Sequence, residues 1–315
     1  MTQPGRSAEL AVVFPGISPV AYRSTAKFLL IDRLARELTA EADEVLGYHL
    51  IDAYRDCAGE YAEPARIAFL VSCLALGQSV ARQFGAEPGI CTGPSFGGTP
   101  AAVHSGALGF ADAVTLTARW GQHAEQYFAQ RHQDVVTQSF ARTSPESLEL
   151  IRAELTEQGS WSDVACYVDR DFTMLTLPED RLDWLHQRLR GLGGLPLYTM
   201  RPPMHSELFR PLRDTIEREV LASVPFADPQ IPIVSDHDGT VLTTGEQVRT
   251  MLLDAAVRPV KWPAVAATLA GRGVTRVAVA GKDGLWGRVS SMTEHFEVVT
   301  LTPDTALRPR RSAAA

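Results

Sequence analysis

Apolar and polar positions along the 315-residue chain switch between the two periods expected of strands and helices. Leu10 to Phe14 is a short apolar run stopped by Pro15-Gly16, the pattern of a buried strand entering a loop. Lys27 to Leu46 spaces Leu29, Leu30, Leu34, Leu38 and Val45 between charges, which predicts one helix. A second helix is expected within Tyr61 to Phe84, with Pro64 in its first turn. A short strand then leads into Gly89-Ile90-Cys91-Thr92-Gly93-Pro94-Ser95-Phe96-Gly97-Gly98, followed by a small-residue helical run over 99–107 and a helix over 110–128.

From about Gln133 to Pro203 the pattern changes. Strands are expected at 135–140, 165–168 and 173–177, and helices at 144–157 and 179–192, the latter leaving through Gly191, Gly193 and Gly194. This alternation suits a small α+β unit inserted into a larger domain. Beyond it the pattern predicts helices at 206–220, 245–257 and 262–272 and strands at 231–234, 274–279 and 296–301. The expected organisation is a large domain in two parts, residues 1–131 and 201–307, an insert at 132–200 and a mobile tail at 308–315. Strands alternating with helices imply an α/β fold with a mainly parallel sheet covered on both faces.

An apolar fraction of 45% and a charged fraction of 21% match an ordinary globular protein with a sizeable core. A net charge of −7 argues against nucleic acid as the main partner. Cys57, Cys73, Cys91 and Cys166 form no C-x-x-C pair or metal-like spacing, so reduced thiols and no metal site are expected. With neither a secretion-signal pattern nor an uncharged apolar run of membrane-spanning length, the expected setting is cytoplasmic, with no membrane partner.

The chemistry centres on Gly93-Pro94-Ser95-Phe96-Gly97, which reads G-x-S-x-G between a strand and a helix. Such a turn projects the serine hydroxyl out of the backbone and aims the next amide, that of Phe96, at the reacting oxygen. Gly93 and Gly97 suit a turn too tight for side chains. An ordinary Gly/Ser turn has the same pattern, and the hydroxyl needs a base before it can act.

Four further segments, in order, resemble the malonyl-CoA:acyl-carrier-protein transacylases and the acyltransferase domains of polyketide synthases. Phe14-Pro15-Gly16 resembles that family's first loop, F-P-G-Q-G, and residues 93–97 its G-H-S-x-G elbow. Residues 106–113 resemble its A-G-x-x-x-x-x-D-A stretch, Met204-His205-Ser206 its histidine segment, and Arg258-Pro259-Val260-Lys261-Trp262 its N-P-V-x-W motif. The resemblance implies an α/β-hydrolase-like large domain with a ferredoxin-like insert, and ping-pong transfer through an acyl-serine. It implies Ser95 as nucleophile, His205 as base, and the amides of Phe96 and Ile17 as the oxyanion hole. A backbone carbonyl near Ala255 would orient His205. His104 and His123 lack such support and read as helix residues near the surface, and His237 in Ser235-Asp236-His237-Asp238-Gly239 as part of a polar turn.

Several positions depart from the family's malonyl pattern. Its carboxylate-binding arginine should fall at residue 120, where this chain has Trp120, with Arg119 one position earlier. One residue turns a helix by about 100°, so Arg119 should point elsewhere unless the helix shifts. Trp120, Pro203 and Met204 are therefore expected to line an apolar acyl site. Pro94 replaces the family's histidine, Ile17 its glutamine, Glu63 a glutamine, and Asp169 and Asp171 asparagines, with surface placement expected for these carboxylates.

The resulting expectation is a discrete acyltransferase, with no bound cofactor, moving a non-malonyl group carried on CoA or on the 4′-phosphopantetheine of an acyl carrier protein. It is similar to stand-alone acyltransferases of macrolactam pathways that move aminoacyl or dipeptidyl starters. An acidic carrier protein would dock on Arg258, Lys261, Arg272, Lys282 and Arg288. An acyl hydrolase on the same scaffold, a malonyl transferase using Arg119, and a non-catalytic carrier-binding protein remain the alternatives.

Overall fold

The computed structural model describes residues 6–17, 21–59 and 61–308. Its larger sheet has the order β11-β10-β1-β2-β7-β8, built from β1 (Arg6–Val13), β2 (Glu87–Thr92), β7 (Ile233–Val234), β8 (Val241–Leu242), β10 (Arg276–Ala280) and β11 (Glu297–Leu301). All neighbours in it pair parallel except β7 with β8. Parallel strands need both faces covered. One face carries α1 (Tyr22–Ile31), α2 (Arg33–Leu46), α3 (Leu50–Asp56) and α4 (Glu63–Phe84), with α5 (Gly98–His104) and α6 (Phe110–Gln130) beside them.

A second sheet, order β6-β3-β5-β4-β9, is formed by β3 (Val135–Ala141), β4 (Asp163–Asp169), β5 (Phe172–Pro178), β6 (Leu195–Met200) and β9 (Val260–Lys261). With α7 (Pro145–Glu157) and α8 (Leu182–Gly191), residues 135–200 run β-α-β-β-α-β, the ferredoxin-like order. These helices close a separate apolar cluster around Phe140, Ile151, Leu175 and Leu185. β9 comes from outside this stretch and pairs parallel with β4, joining the two layers close to His205. The whole is an α/β fold with mixed sheets.

Local chemistry accounts for most element ends. Asp32 sits in extended backbone and accepts a hydrogen bond from the Ala35 amide at 3.0 Å, so the single helix expected over 27–46 is broken into α1 and α2. Gly47 and Gly85 stop α2 and α4 in the left-handed conformation. α3 and β6 went unpredicted because α3 is short and β6 is a half-exposed edge strand lacking the apolar run of its neighbours. The helix expected over 206–220 is three pieces, a 3-10 turn at Glu207–Phe209, α9 (Arg210–Ile216) and a π-turn at Glu217–Leu221. α10 (Gly245–Asp254), α11 (Trp262–Gly271) and two short helices, α12 (Ser290–Thr293) and α13 (Pro303–Ala306), complete the larger layer. α4 is long and apolar enough to cross a bilayer, yet 72% of its apolar window is buried inside this fold. Of the tail expected at 308–315, residues 309–315 lie outside the described residues.

Candidate active site

β2 ends at Thr92, and the chain turns at once into a 3-10 turn (Ser95–Gly97) and α5. A Cβ on Gly93 would lie 2.1 Å from the Gly97 carbonyl oxygen, which is why the turn tolerates no side chain there. Ser95 itself is left-handed at φ 54°, a strained state for a serine. The first loop lies against this elbow, since a Cβ on Gly16 would come within 3.2 Å of the Pro94 carbonyl oxygen. Phe96 stacks edge-on against Phe69 of α4 at 5.9 Å, fixing the far side of the turn.

His205 arrives from the other part of the chain, 110 residues after Ser95, and is 6% exposed. Its Nε2 lies 2.9 Å from the Ser95 Oγ. Its Nδ1 faces the carbonyl oxygen of Arg258 at 3.0 Å. The orienting carbonyl is therefore that of Arg258 and not of Ala255. Ala255 is the residue that caps α10, so its backbone is turned into the helix end, whereas Arg258 begins the extended run into β9. The Ala256 carbonyl instead accepts from the Ser206 amide at 3.2 Å, and the Ser206 hydroxyl donates to Asp163 of β4. His205 is also left-handed, at φ 62°.

A carbonyl can only accept, so Nδ1 carries the proton and Nε2 presents its lone pair to the serine. Burial pushes the His205 pKa down to about 4, against an opposing pull from the Asp236 carboxylate and the Arg258 carbonyl. The imidazole is thus neutral near pH 7 and able to take the hydroxyl proton.

The expected acyl-site residues divide. Ile17, Phe96, Trp120 and Met204 are all partly buried against the same apolar core, and Pro203 is buried. Arg119 is exposed, and its charge acts on Glu219 of the π-turn instead. The arginine that the fold does bring against this stretch of α6 is Arg66 of α4. Its guanidinium occupies the space where a Gly121 Cβ would sit, 1.8 Å away, and it pairs with Glu125 at 3.1 Å. Nothing in the local pattern of α4 marks Arg66; only Gly121, one residue past Trp120, hints at an incoming group. Glu63, one turn earlier on α4, is half-buried and held by Tyr48 and Gln122, each at 2.9 Å.

Of the expected docking cations, Lys261, Lys282 and Arg288 are exposed and Arg258 is half-buried. Arg258 and Lys261 flank the His205 anchor, and Arg258 pairs with Asp238 at 2.9 Å. Arg272 is misplaced in that set. It precedes β10, whereas Ser95 follows the carboxyl end of β2, and the two strands run the same way, so Arg272 lies at the opposite end of the sheet. His104 is also corrected: it stacks on Phe14 at 5.2 Å in the interior, and burial lowers its pKa to about 4. His123 is half-buried, 3.8 Å from Glu219. Asp169 is buried and caps Ser290 and Ser291 through their amides, which ties β4 to the larger layer.

The residue that reading the sequence missed is Asp236. The turn Ser235-Asp236-His237-Asp238-Gly239 is a polar turn as expected, yet Asp236 and His237 are 3% and 1% exposed. The Asp236 carboxylate accepts the Ser95 amide at 2.7 Å.

A family model described as the VinK acyltransferase small domain matches residues 139–200. The malonyl CoA-acyl carrier protein transacylase of Escherichia coli (strain K12) is 25% identical over 314 residues, covering 98% of each chain. A type II polyketide synthase acyl-carrier protein complex with its malonyl-transacylase contains a chain of the same fold, with TM-score 0.82 and 21% identity over 93% of this chain and 96% of that one. The acyltransferase domain from the second module of the salinomycin polyketide synthase superposes with TM-score 0.77 and 23% identity, over 93% of this chain and 68% of that one. By this kinship the chain is an acyltransferase, similar in sequence to malonyl CoA-acyl carrier protein transacylases and in fold to the polyketide synthase domain.

Proposed function

We propose that this acyltransferase moves an acyl group other than malonyl, of aminoacyl or dipeptidyl type, from one thioester to the thiol of a carrier protein through an acyl-Ser95 intermediate. The reading is carried by the Ser95–His205–Arg258 relay, with Oγ to Nε2 at 2.9 Å and Nδ1 to the carbonyl at 3.0 Å. His205 takes the serine proton as Oγ attacks the thioester carbonyl. The amides of Phe96 and Ile17 receive the oxyanion. As the tetrahedral centre collapses, the thiolate leaves with the proton from His205. An incoming carrier thiol then reverses the sequence and frees Ser95.

Trp120 supports the choice of cargo. An indole offers a carboxylate no paired donors, whereas it gives an apolar acyl chain a flat wall. Arg258, Lys261, Lys282 and Arg288 would meet an acidic acyl carrier protein, and a cytoplasmic setting goes with carrier-bound and CoA-bound substrates. Malonyl transfer is the second reading. It is favoured by the names of the relatives and by Arg66 of α4, whose guanidinium packs against Gly121, one residue past Trp120.

Intact-mass measurement after exposure to a panel of acyl-CoAs and acyl-carrier proteins separates the readings. A non-malonyl mass on Ser95 that is discharged by holo carrier protein is expected. A stable malonyl adduct would establish the second reading. Release of free acid at one rate with or without an acceptor would make the protein a hydrolase.

A further inference from the structure

The relay at the active site ends in a carbonyl, and among the described residues no carboxylate hydrogen-bonds to the histidine that becomes positively charged during transfer. A buried carboxylate is nevertheless present on the serine side. Asp236 leaves β7 in the turn at 235–238, and its Oδ2 accepts the Ser95 amide at 2.7 Å. Its other oxygen lies 3.6 Å from Nδ1 of His237. Its backbone carbonyl accepts the Lys261 amide at 2.7 Å, in the same extended run that carries the Arg258 carbonyl. His237 is held in turn by oxygen atoms at both ring nitrogens, Pro259 at 3.3 Å and Met251 at 3.1 Å. The backbone at 258–261 therefore fixes His205 and Asp236 together.

We propose that Asp236 is the acidic member of this site, a positioning residue that holds the nucleophile through the Ser95 amide and offsets the charge of the His205 imidazolium across the elbow. His237 aligns Asp236 for that task. The inference rests on the reading of Ser95 and His205 as the transfer pair.

The physical case has two parts. A left-handed serine costs on the order of 1–3 kcal/mol, and a charge-assisted hydrogen bond to its amide is among the stronger ways to hold it. When His205 takes the serine proton, a cation forms in a buried place, where a fixed carboxylate acts more strongly than it would in water. The charged and titratable groups around His205 are Asp236 and His237 from the turn. Asp163 lies behind Ser206, the Arg258 guanidinium is paired with Asp238, and Cys166 of β4 feels the Asp236 charge. Asp236 favours the protonated imidazole, and His237 disfavours it.

The test uses a fluorophosphonate, which needs an activated serine and no particular acyl group. Ser95 Oγ bonds to phosphorus, fluoride leaves, and the serine proton passes to His205. Labelling rates are measured from about pH 3 to about pH 7 for the wild type, Ser95→Ala, Asp236→Asn and Asp236→Ala. Asp236→Asn keeps an oxygen for the Ser95 amide and removes the charge. Its rate is expected to fall about tenfold or more, with the acid limb moved to lower pH. Asp236→Ala should lose more, having no acceptor for the amide. Should Asp236→Asn fail to fold, His237→Gln is decisive, because an Asp236 no longer held in place should lower the labelling rate several-fold. A folded Asp236→Asn with the wild-type rate and limb, or a folded His237→Gln with the wild-type rate, overturns the proposal. A wild type that is not labelled at all would instead remove the reading of Ser95 and His205 beneath it.

Discussion

Gly97 packs directly under the carbonyl of Phe14: a Cβ on Gly97 would lie 2.1 Å from that oxygen. The contact joins the end of the first strand to the turn that carries the nucleophile, so the first loop and the elbow form one rigid piece. Gly97→Ala must push backbone against backbone, and neither side can yield as a flexible side chain would. The substitution is expected to cost about 1–3 kcal/mol or more and to lower acyl-serine formation, checked by a thermal melt alongside intact mass.

Ser95→Ala should abolish the adduct outright. His205→Ala should leave the fold in place and slow acylation about 10²–10⁴-fold, the usual range for a lost general base. Single-turnover acylation measures both.

The pKa of His205 and that of His104 are each pushed down to about 4, by burial first in both cases. In the unfolded chain both return to their ordinary value near 6.5. Between those values the unfolded state binds more protons than the native one, so stability is present above about pH 6.5 and is lost as pH falls toward about pH 4. The loss is on the order of 3 kcal/mol per histidine once both states are fully protonated. Melting temperature should therefore drop steeply over this window, and His104→Leu should flatten the drop while leaving the acid limb of the acylation rate unchanged.

Trp120→Arg places a guanidinium where the related malonyl transferases are expected to have one. If Trp120 walls an apolar acyl site, the variant should gain a malonyl adduct at Ser95 and lose rate with bulky apolar acyl groups, read by competition between two thioesters. A wild type that already prefers malonyl would point instead to Arg66, and Arg66→Ala should then reduce that preference.

The elbow, the alternation of strands and helices, and the order of the serine and histidine segments were all legible along the chain. Each is local: two glycines around a serine, a period of apolar residues, a proline that stops a helix. Even the departures at Trp120 and Ile17 are local facts, visible one residue at a time. What folding alone decided were pairings between distant segments. The carbonyl behind His205 is that of Arg258, because the chain becomes extended only there, before β9. Arg66 meets Gly121 because α4 and α6 pack side by side, and Asp236 reaches the Ser95 amide because β7 lies next to β2. A pattern of polar residues in a turn looks the same whether water or a nucleophile lies above it. Burial, which depends on every other element, made the difference.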